Sequence, residues 1–379
     1  MSASLCHHSV QWNSGGKSLP GVARAFLCSG TIVPGFEKRT FMISAAMLLL
    51  IAMTAIRASQ SPRERGQLNS ILALEYEIPH GGRVTALAFS PDGRQLATST
   101  GGQLIRIWDS STGRELKKLN EAGEQLPGDL SIGLNAYALA YSPDGRILAA
   151  AGDVVSSDNI RVGTEIDLWD LSSGVKKTIP TSKTPKAKFS QAVIFAQNGK
   201  SVFVALMSYE PGDSPGQHVP MAEIREWDVP TGAFKRTWKK LDDFRLQSVA
   251  LSPDGKTLAI GYFDRMAMIG FWDLETGGRL RDFQTFFGTH SLSYSPDGTK
   301  LVSCQDPRMA GGNALRGIVI CDVKLGYLGT ISTGQSPFVS ATAFSPDGMH
   351  LATGDMGYPS APGTGAVNKG STVKMWRVQ

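Results

Sequence analysis

The tetrad Ser-Pro-Asp-Gly recurs at 90–93, 142–145, 252–255, 295–298 and 345–348, with a degenerate copy, Ala-Gln-Asn-Gly, at 196–199. A repeat at this period constrains the fold more than any other feature, because each unit must bury its apolar face against its neighbours. An aromatic residue or Leu stands just before each tetrad: Phe89, Tyr141, Phe195, Leu251, Tyr294 and Phe344. A second strand-like run follows, such as LATST, LAAAG or LAIGY, and then a third ending in Trp-Asp. The third runs are IRIWD at 105–109, IDLWD at 166–170, IREWD at 224–228 and IGFWD at 269–273, degrading to IVICD at 318–322 and VKMWR at 373–377. Four of them lead into a turn closed by Thr-Gly or Ser-Gly, at 111–113, 172–174, 230–232 and 275–277.

The turn chemistry predicts tight antiparallel hairpins. Proline presets φ at the second turn position, Asp or Asn suits the third, and Gly accepts the left-handed fourth. A small residue precedes most of the aromatics (Ala88, Ala140, Ala250, Ser293, Ala343; Ile194 is the exception), as crowding near a common axis requires.

These units resemble WD40 repeats over about residues 69–379, and the resemblance implies a closed all-β propeller of four-stranded blades. The tetrads are 52, 54, 56, 43 and 50 residues apart, whereas such a unit needs ~40–45, so the expected number of blades is six. The last unit ends at its third strand, and ILALEYEI at 71–78 belongs to no unit. The resemblance implies that this N-terminal run supplies the missing outer strand and closes the ring, removing an unpaired edge. The family's hydrogen-bonded chain from His through Ser/Thr and Asp to Trp maps onto His80 and Trp108, but Gly102 stands where the Asp belongs and Gln335 replaces the His of the last unit.

Upstream, residues 1–40 show no strand or helix periodicity and are read as a disordered tail. Residues 41–58 contain FMISAAMLLLIAMTAI at 41–56, a charge-free run behind Lys38 and Arg39. Its length suits a short apolar helix acting as a secretory signal or a retained membrane anchor, and residues 59–68 read as a linker. The expected location is therefore extracytoplasmic: secreted, periplasmic or membrane-anchored. A natural start at Met42 or Met47 is the alternative reading of the tail, and an apolar segment lying upstream of the true start would leave a cytoplasmic protein instead.

Composition excludes several functions. The first 58 residues hold five cations and one anion, leaving 33 cations against 32 anions in the rest, without the net basic field that nucleic-acid binding requires. The cysteines at 6, 28, 304 and 321 form no CxxC pair, and Cys304 and Cys321 are read as free thiols. The repeated Asp residues fall in separate turns, too far apart to share an ion. No Gly-x-Ser-x-Gly or phosphate-cradling loop is present. Neither a cofactor nor a metal is expected.

The resemblance places the loops between second and third strands on one face. Those at about 153–164, 206–222, 304–316 and 355–371 are long and rich in Gly, Pro, Ser and Asp, as a binding face commonly is. The candidate partner-binding residues are Arg161, Tyr209, His218, Arg308 and Tyr358, because exposed Arg and aromatic side chains dominate binding hot spots. The expected function is a non-enzymatic scaffold that binds a protein or peptide, as a monomeric propeller. The alternative is a small-ligand-binding or hydrolytic propeller working through its axial channel. Thr85, Tyr137, Gln191, Gln247, His290 and Ser340 would line the mouth of that channel and offer no carboxylate cluster.

Overall fold

The alternation along each repeat leads to a sheet buried on both faces, and the computed structural model shows how. It describes residues 71–100, 104–120, 133–155, 161–182, 189–211, 218–242, 244–264, 266–285, 289–304, 317–334, 339–355 and 371–379. The apolar segment 41–56 and the tail before it lie outside these residues.

Among the described residues the first strand is β1 (Leu72–His80), and six units follow it. Blade 1 holds β2 (Val84–Phe89), β3 (Gln95–Thr100), β4 (Leu104–Asp109) and β5 (Glu115–Asn120). Blade 2 holds β6 (Gly133–Tyr141), β7 (Ile147–Val155), β8 (Arg161–Asp170) and β9 (Lys176–Ser182). Blade 3 holds β10 (Phe189–Phe195), β11 (Ser201–Pro211), β12 (His218–Asp228) and β13 (Phe234–Asp242). Blade 4 holds β14 (Arg245–Leu251), β15 (Thr257–Asp264), β16 (Met266–Asp273) and β17 (Arg279–Gln284). Blade 5 holds β18 (Leu292–Tyr294), β19 (Lys300–Cys304), β20 (Gly317–Asp322) and β21 (Gly326–Ser332). Blade 6 holds β22 (Val339–Phe344), β23 (His350–Asp355) and β24 (Ser371–Val378), and β1 completes it as the outer strand.

Each blade is a four-stranded antiparallel sheet, six in all. The closure is as expected: Leu72 pairs with Val378 and His80 with Ser371, so the two ends of the repeat array share one sheet. The core is divided in the same way, into six clusters that each lie between neighbouring blades. Alternate residues of one strand therefore face opposite neighbours. In β8, Ile166 and Leu168 pack toward blade 3, whereas Trp169 packs toward blade 1. The small residues Ala88, Ala250 and Ala343 are buried at such junctions.

The tetrad turns form a circle. Gly93 has φ 72° and its N–H donates to the Ser90 carbonyl at 2.8 Å. Asp92 accepts from Ser90 Oγ at 2.6 Å and from the Arg94 N–H at 3.0 Å, which holds its carboxyl below the usual range. A Cβ on Gly93 would lie 3.6 Å from Pro346, one on Gly145 3.5 Å from Pro91, and one on Gly348 3.5 Å from Pro296. Each turn's proline thus seats against the glycine of the turn in the next blade. In blade 3, Gln197 replaces the proline and spans the same gap, its Nε2 donating to the Pro253 carbonyl at 2.7 Å.

One reading needs correction. The segments 153–164 and 206–222 were expected to be loops, but β7, β8, β11 and β12 run through most of them. Backbone pairing continues to Pro211–His218 because residues 201–208 are one unbroken buried strand that carries the register outward. The His-to-Trp hydrogen-bond chain of blade 1, by contrast, forms with fewer members than the full pattern, in line with the missing Asp at Gly102. His80 Nε2 and Trp108 Nε1 each lie 3.0 Å from Thr98 Oγ1, and His80 Nδ1 lies 3.1 Å from the Ile78 carbonyl.

Cys304 and Cys321 are free and buried, as expected. They stand at opposite ends of their hairpin, paired with Ile318 and Leu301 respectively, and belong to different core clusters. Burial raises both thiols, Cys321 to about 12, so neither is a nucleophile at neutral pH.

Candidate functional site

Strands that alternate in direction put the mouth of the axial channel and the hairpins between second and third strands on one face. The channel, about 90 Å³, is lined there by Thr85, Tyr137, Gln191, His290 and Ser340. Gln247, expected among them, instead accepts from the Thr289 N–H at 2.7 Å, and Ser248 lines the wall. Several of the hydroxyls staple neighbouring inner strands: Thr85 Oγ1 donates to the Ala136 carbonyl at 2.7 Å, and Ser340 Oγ to that of Val84 at 2.6 Å. Ser248 Oγ does the same toward Thr289. Their first duty is therefore structural. Tyr137 is 39% exposed and presents its ring at the mouth.

The most prominent feature of this face is the β11–β12 hairpin. Pairing between β10 and β11 ends at Phe189–Met207, and pairing between β12 and β13 ends at Met221–Asp242. Among the described residues, Tyr209–Pro211 and His218–Pro220 therefore continue as a ribbon paired only with each other. Tyr209 is half-buried on one strand of this ribbon, opposite Pro220, and His218 is exposed at its end, opposite Pro211. In blade 2, Arg161 opens β8, paired with Val155 at the last rung of a similar hairpin. Arg308 and Tyr358 lie outside the described residues. The structure thus brings Tyr209 and His218 onto one ribbon and places Arg161 on the adjacent blade.

Among the described residues, no group of three or more His, Cys, Asp or Glu is arranged to hold a metal ion. Asp109 accepts from the N–H and hydroxyl of both Ser111 and Thr112, which holds it down at about 2, and Asp170, Asp228 and Asp273 close their turns in the same manner. One carboxyl departs upward. Burial, aided by the neighbouring Asp167 charge, raises Glu165 to about 7. Asp167 itself is fully buried, 3.3 Å from Lys176 Nζ and bonded by the Thr178 hydroxyl. This pair sits within the blade 1–blade 2 packing, away from the channel.

The sequence of repeats, six blades and a strand exchanged between the ends has a known counterpart. The family profile described as "WD domain, G-beta repeat" matches residues 74–109 and 327–377, the segments on either side of the closure. The chain is a WD40-repeat β-propeller. Autophagy-related protein 16 of Arabidopsis thaliana is 24% identical over 304 residues, covering 79% of this chain and 50% of that protein. WD repeat-containing protein 1 of Bos taurus is 31% identical over 98 residues, covering 25% of this chain and 15% of its own length. Protein groucho of Drosophila melanogaster is 23% identical over 237 residues, covering 62% of this chain and 27% of its own. The WD40 chain thus spans half or less of each of these relatives.

Sequence reasoning missed a second set of contacts, on the opposite face. The carbonyl that follows the third-strand Asp is bonded by an outer-strand side chain of the preceding blade. Tyr76 donates to Ser110, Lys117 to Leu171 at 3.4 Å, Lys177 to Val229 at 3.4 Å, and Trp238 Nε1 to Leu274 at 2.8 Å. The signal was present as Lys117 and Lys177, four and three residues beyond their Gly-closed turns, but outer-strand lysines read first as edge protection.

Proposed function

We propose that this WD40 propeller is a non-enzymatic scaffold that binds a protein or peptide partner on the face carrying the channel mouth. The ribbon formed by Tyr209–Pro211 and His218–Pro220 carries the reading, because it extends beyond the described pairing of its own sheet. Its neighbours on that face, Tyr137 and the β7–β8 hairpin with Arg161, would enlarge the contact area. An aromatic side chain such as Tyr209 suits an anchor role, since it contributes large area at low entropic cost. That the relatives include proteins named for autophagy and for WD repeats agrees with a binding role without naming a partner.

Residues 41–56 are proposed to direct the chain out of the cytoplasm or to hold it at a membrane, with the propeller acting there as a monomer. Affinity capture tests the binding reading. The full chain is compared with one in which residues 208–221 and 154–163 are each replaced by an Asn-Gly turn. Loss of the captured partner with unchanged thermal stability is the expected result, and equal recovery refutes the reading. Fractionation of cells expressing a C-terminally tagged chain tests the location: recovery from the soluble cytoplasm refutes export and tethering.

A further inference from the structure

The tetrad turns are built alike from blade to blade, so the junctions between them differ chiefly in the side chains laid along them. Between blades 4 and 5 a groove of about 540 Å³ opens on the turn face, with Asp254, Phe271, Leu280, Arg281, Tyr294 and Asp297 in its lining. A groove of about 700 Å³ occupies the corresponding place between blades 2 and 3, so size does not set this junction apart. Its chemistry does. In the larger groove Asp144 and Asp170 are balanced by Lys177 and Lys200, and Asn198 stands where Asp297 stands in the smaller one. In the smaller groove Asp254 and Asp297 are set against Arg281, whose guanidinium lies 4.8 Å from the Phe271 ring centre. The lining thus keeps one negative charge in excess. Lys256 and Lys300 stand outside it, and Lys300 is shared between Asp297 and Asp322.

Both carboxyls are ionised at neutral pH, because their turn bonds hold them below the usual range. Ser252 and Lys256 donate to Asp254, and Ser295 and Thr299 to Asp297. The bonds to Asp254 both fall on Oδ1 and leave Oδ2 to a further donor. Tyr294 supplies a second, independent sign of a ligand. It is 8% exposed in the groove wall, and its hydroxyl is buried with no hydrogen-bond partner among the described residues. Tyr141, its counterpart in blade 2, bonds Gln95 at 3.4 Å, whereas blades 1, 3 and 6 place Phe89, Phe195 and Phe344 there and need no partner. Burial raises the Tyr294 hydroxyl, and the Arg281 and Asp254 charges act on it in opposite senses, so it stays protonated with both nearby. A hydroxyl orphaned in this way costs free energy that an incoming acceptor recovers.

We propose that this groove docks a lysine-bearing segment of a protein partner. The ammonium donates to Asp254 and Asp297, and its single charge neutralises the lining. Bonds of this charge-assisted kind are about twice as strong as neutral ones. The Tyr294 hydroxyl donates to a main-chain carbonyl of the segment as the groove widens. A neighbouring apolar side chain covers Leu280, which is 57% exposed. Arg281 opposes the incoming cation and limits the site to one positive charge. A carboxylate or phosphate would add to the excess negative charge and is disfavoured. The groove lies on the face opposite the ribbon, so it stands or falls separately from the scaffold reading.

The test uses fluorescently labelled, capped nonapeptides with a central Lys, acetyl-lysine or Glu flanked by Leu, titrated to millimolar concentration against the full chain by anisotropy. The Lys peptide is expected to bind at least about tenfold more tightly than the other two. Residues 59–379 hold 33 cations against 32 anions, so such a preference cannot come from overall charge. Asp297→Asn removes one carboxylate and keeps the turn, as Asn198 does in blade 3 by accepting from the Lys200 N–H at 2.9 Å. It should bring the Lys and acetyl-lysine peptides to within about twofold of each other. Tyr294→Phe, which installs the residue of three other blades, should weaken binding several-fold while the melting temperature holds or rises. Arg281→Gln should tighten the Lys peptide several-fold by removing the opposing charge. Equal affinity for the Lys and acetyl-lysine peptides, preference for Glu, no saturable binding of any peptide, or an unchanged preference in Asp297→Asn overturns the proposal.

Discussion

Thr98→Val isolates the interaction that fixes the closing strand to blade 1. Thr98 is fully buried, and its hydroxyl is shared by His80, 2% exposed on β1, and Trp108, 6% exposed on β4. Valine has nearly the same shape, so packing changes little and the loss is polar. Two buried ring nitrogens are left without this partner, at about 1–3 kcal/mol each, so the expected loss is about 2–5 kcal/mol. Thr98→Ser keeps the hydroxyl and removes only a methyl group, for about 1 kcal/mol. Guanidinium unfolding followed by circular dichroism gives both values from midpoint and slope. If Val and Ser variants unfold within about 0.5 kcal/mol of each other, the hydrogen-bonded chain contributes nothing and the reasoning fails.

Other consequences are equally specific. Trp169 Nε1 is buried without a partner beside Ala150, where Thr98 stands in blade 1, so Ala150→Ser should stabilise the protein by up to about 1 kcal/mol in the same unfolding assay. Glu165 is raised in the folded state to about 7 from 4.5, so its neutral form is favoured by folding and its contribution is lost as pH rises through about 7. Glu165→Gln should therefore raise the melting temperature at pH 8 and change it little at pH 5. His80 is shifted the other way by burial, so stability should fall as pH drops below about 6.5, and Thr98→Val should not abolish that fall. A Cβ on Gly317 would lie 1.8 Å from the Ile331 carbonyl oxygen, so Gly317→Ala must break the β20–β21 pairing and cost about 3 kcal/mol or more, seen as loss of soluble, folded protein.

The ring was legible because its determinants are local. Ser-Pro-Asp-Gly fixes a turn by its own dihedral preferences and side-chain bonds, and six such turns at blade-length spacing leave little freedom. The closing strand was legible for a different reason, an apolar run with no unit of its own beside a unit lacking a strand. The channel positions followed from counting, except Gln247, whose amide found a better partner in Thr289. Hairpin length did not follow, since polar Gly- and Pro-containing stretches such as 206–222 look like loops until cross-strand pairing is known. The seat of the Arg281 guanidinium over the Phe271 ring was beyond reach altogether, because it depends on the β16–β17 register.

The most direct measurement of the account is an experimental electron-density map of the chain. Six four-stranded sheets should surround the axis, with β1 against β24 and Glu77 opposite Lys374. A map with five or seven sheets, or with residues 72–80 paired elsewhere, would contradict it.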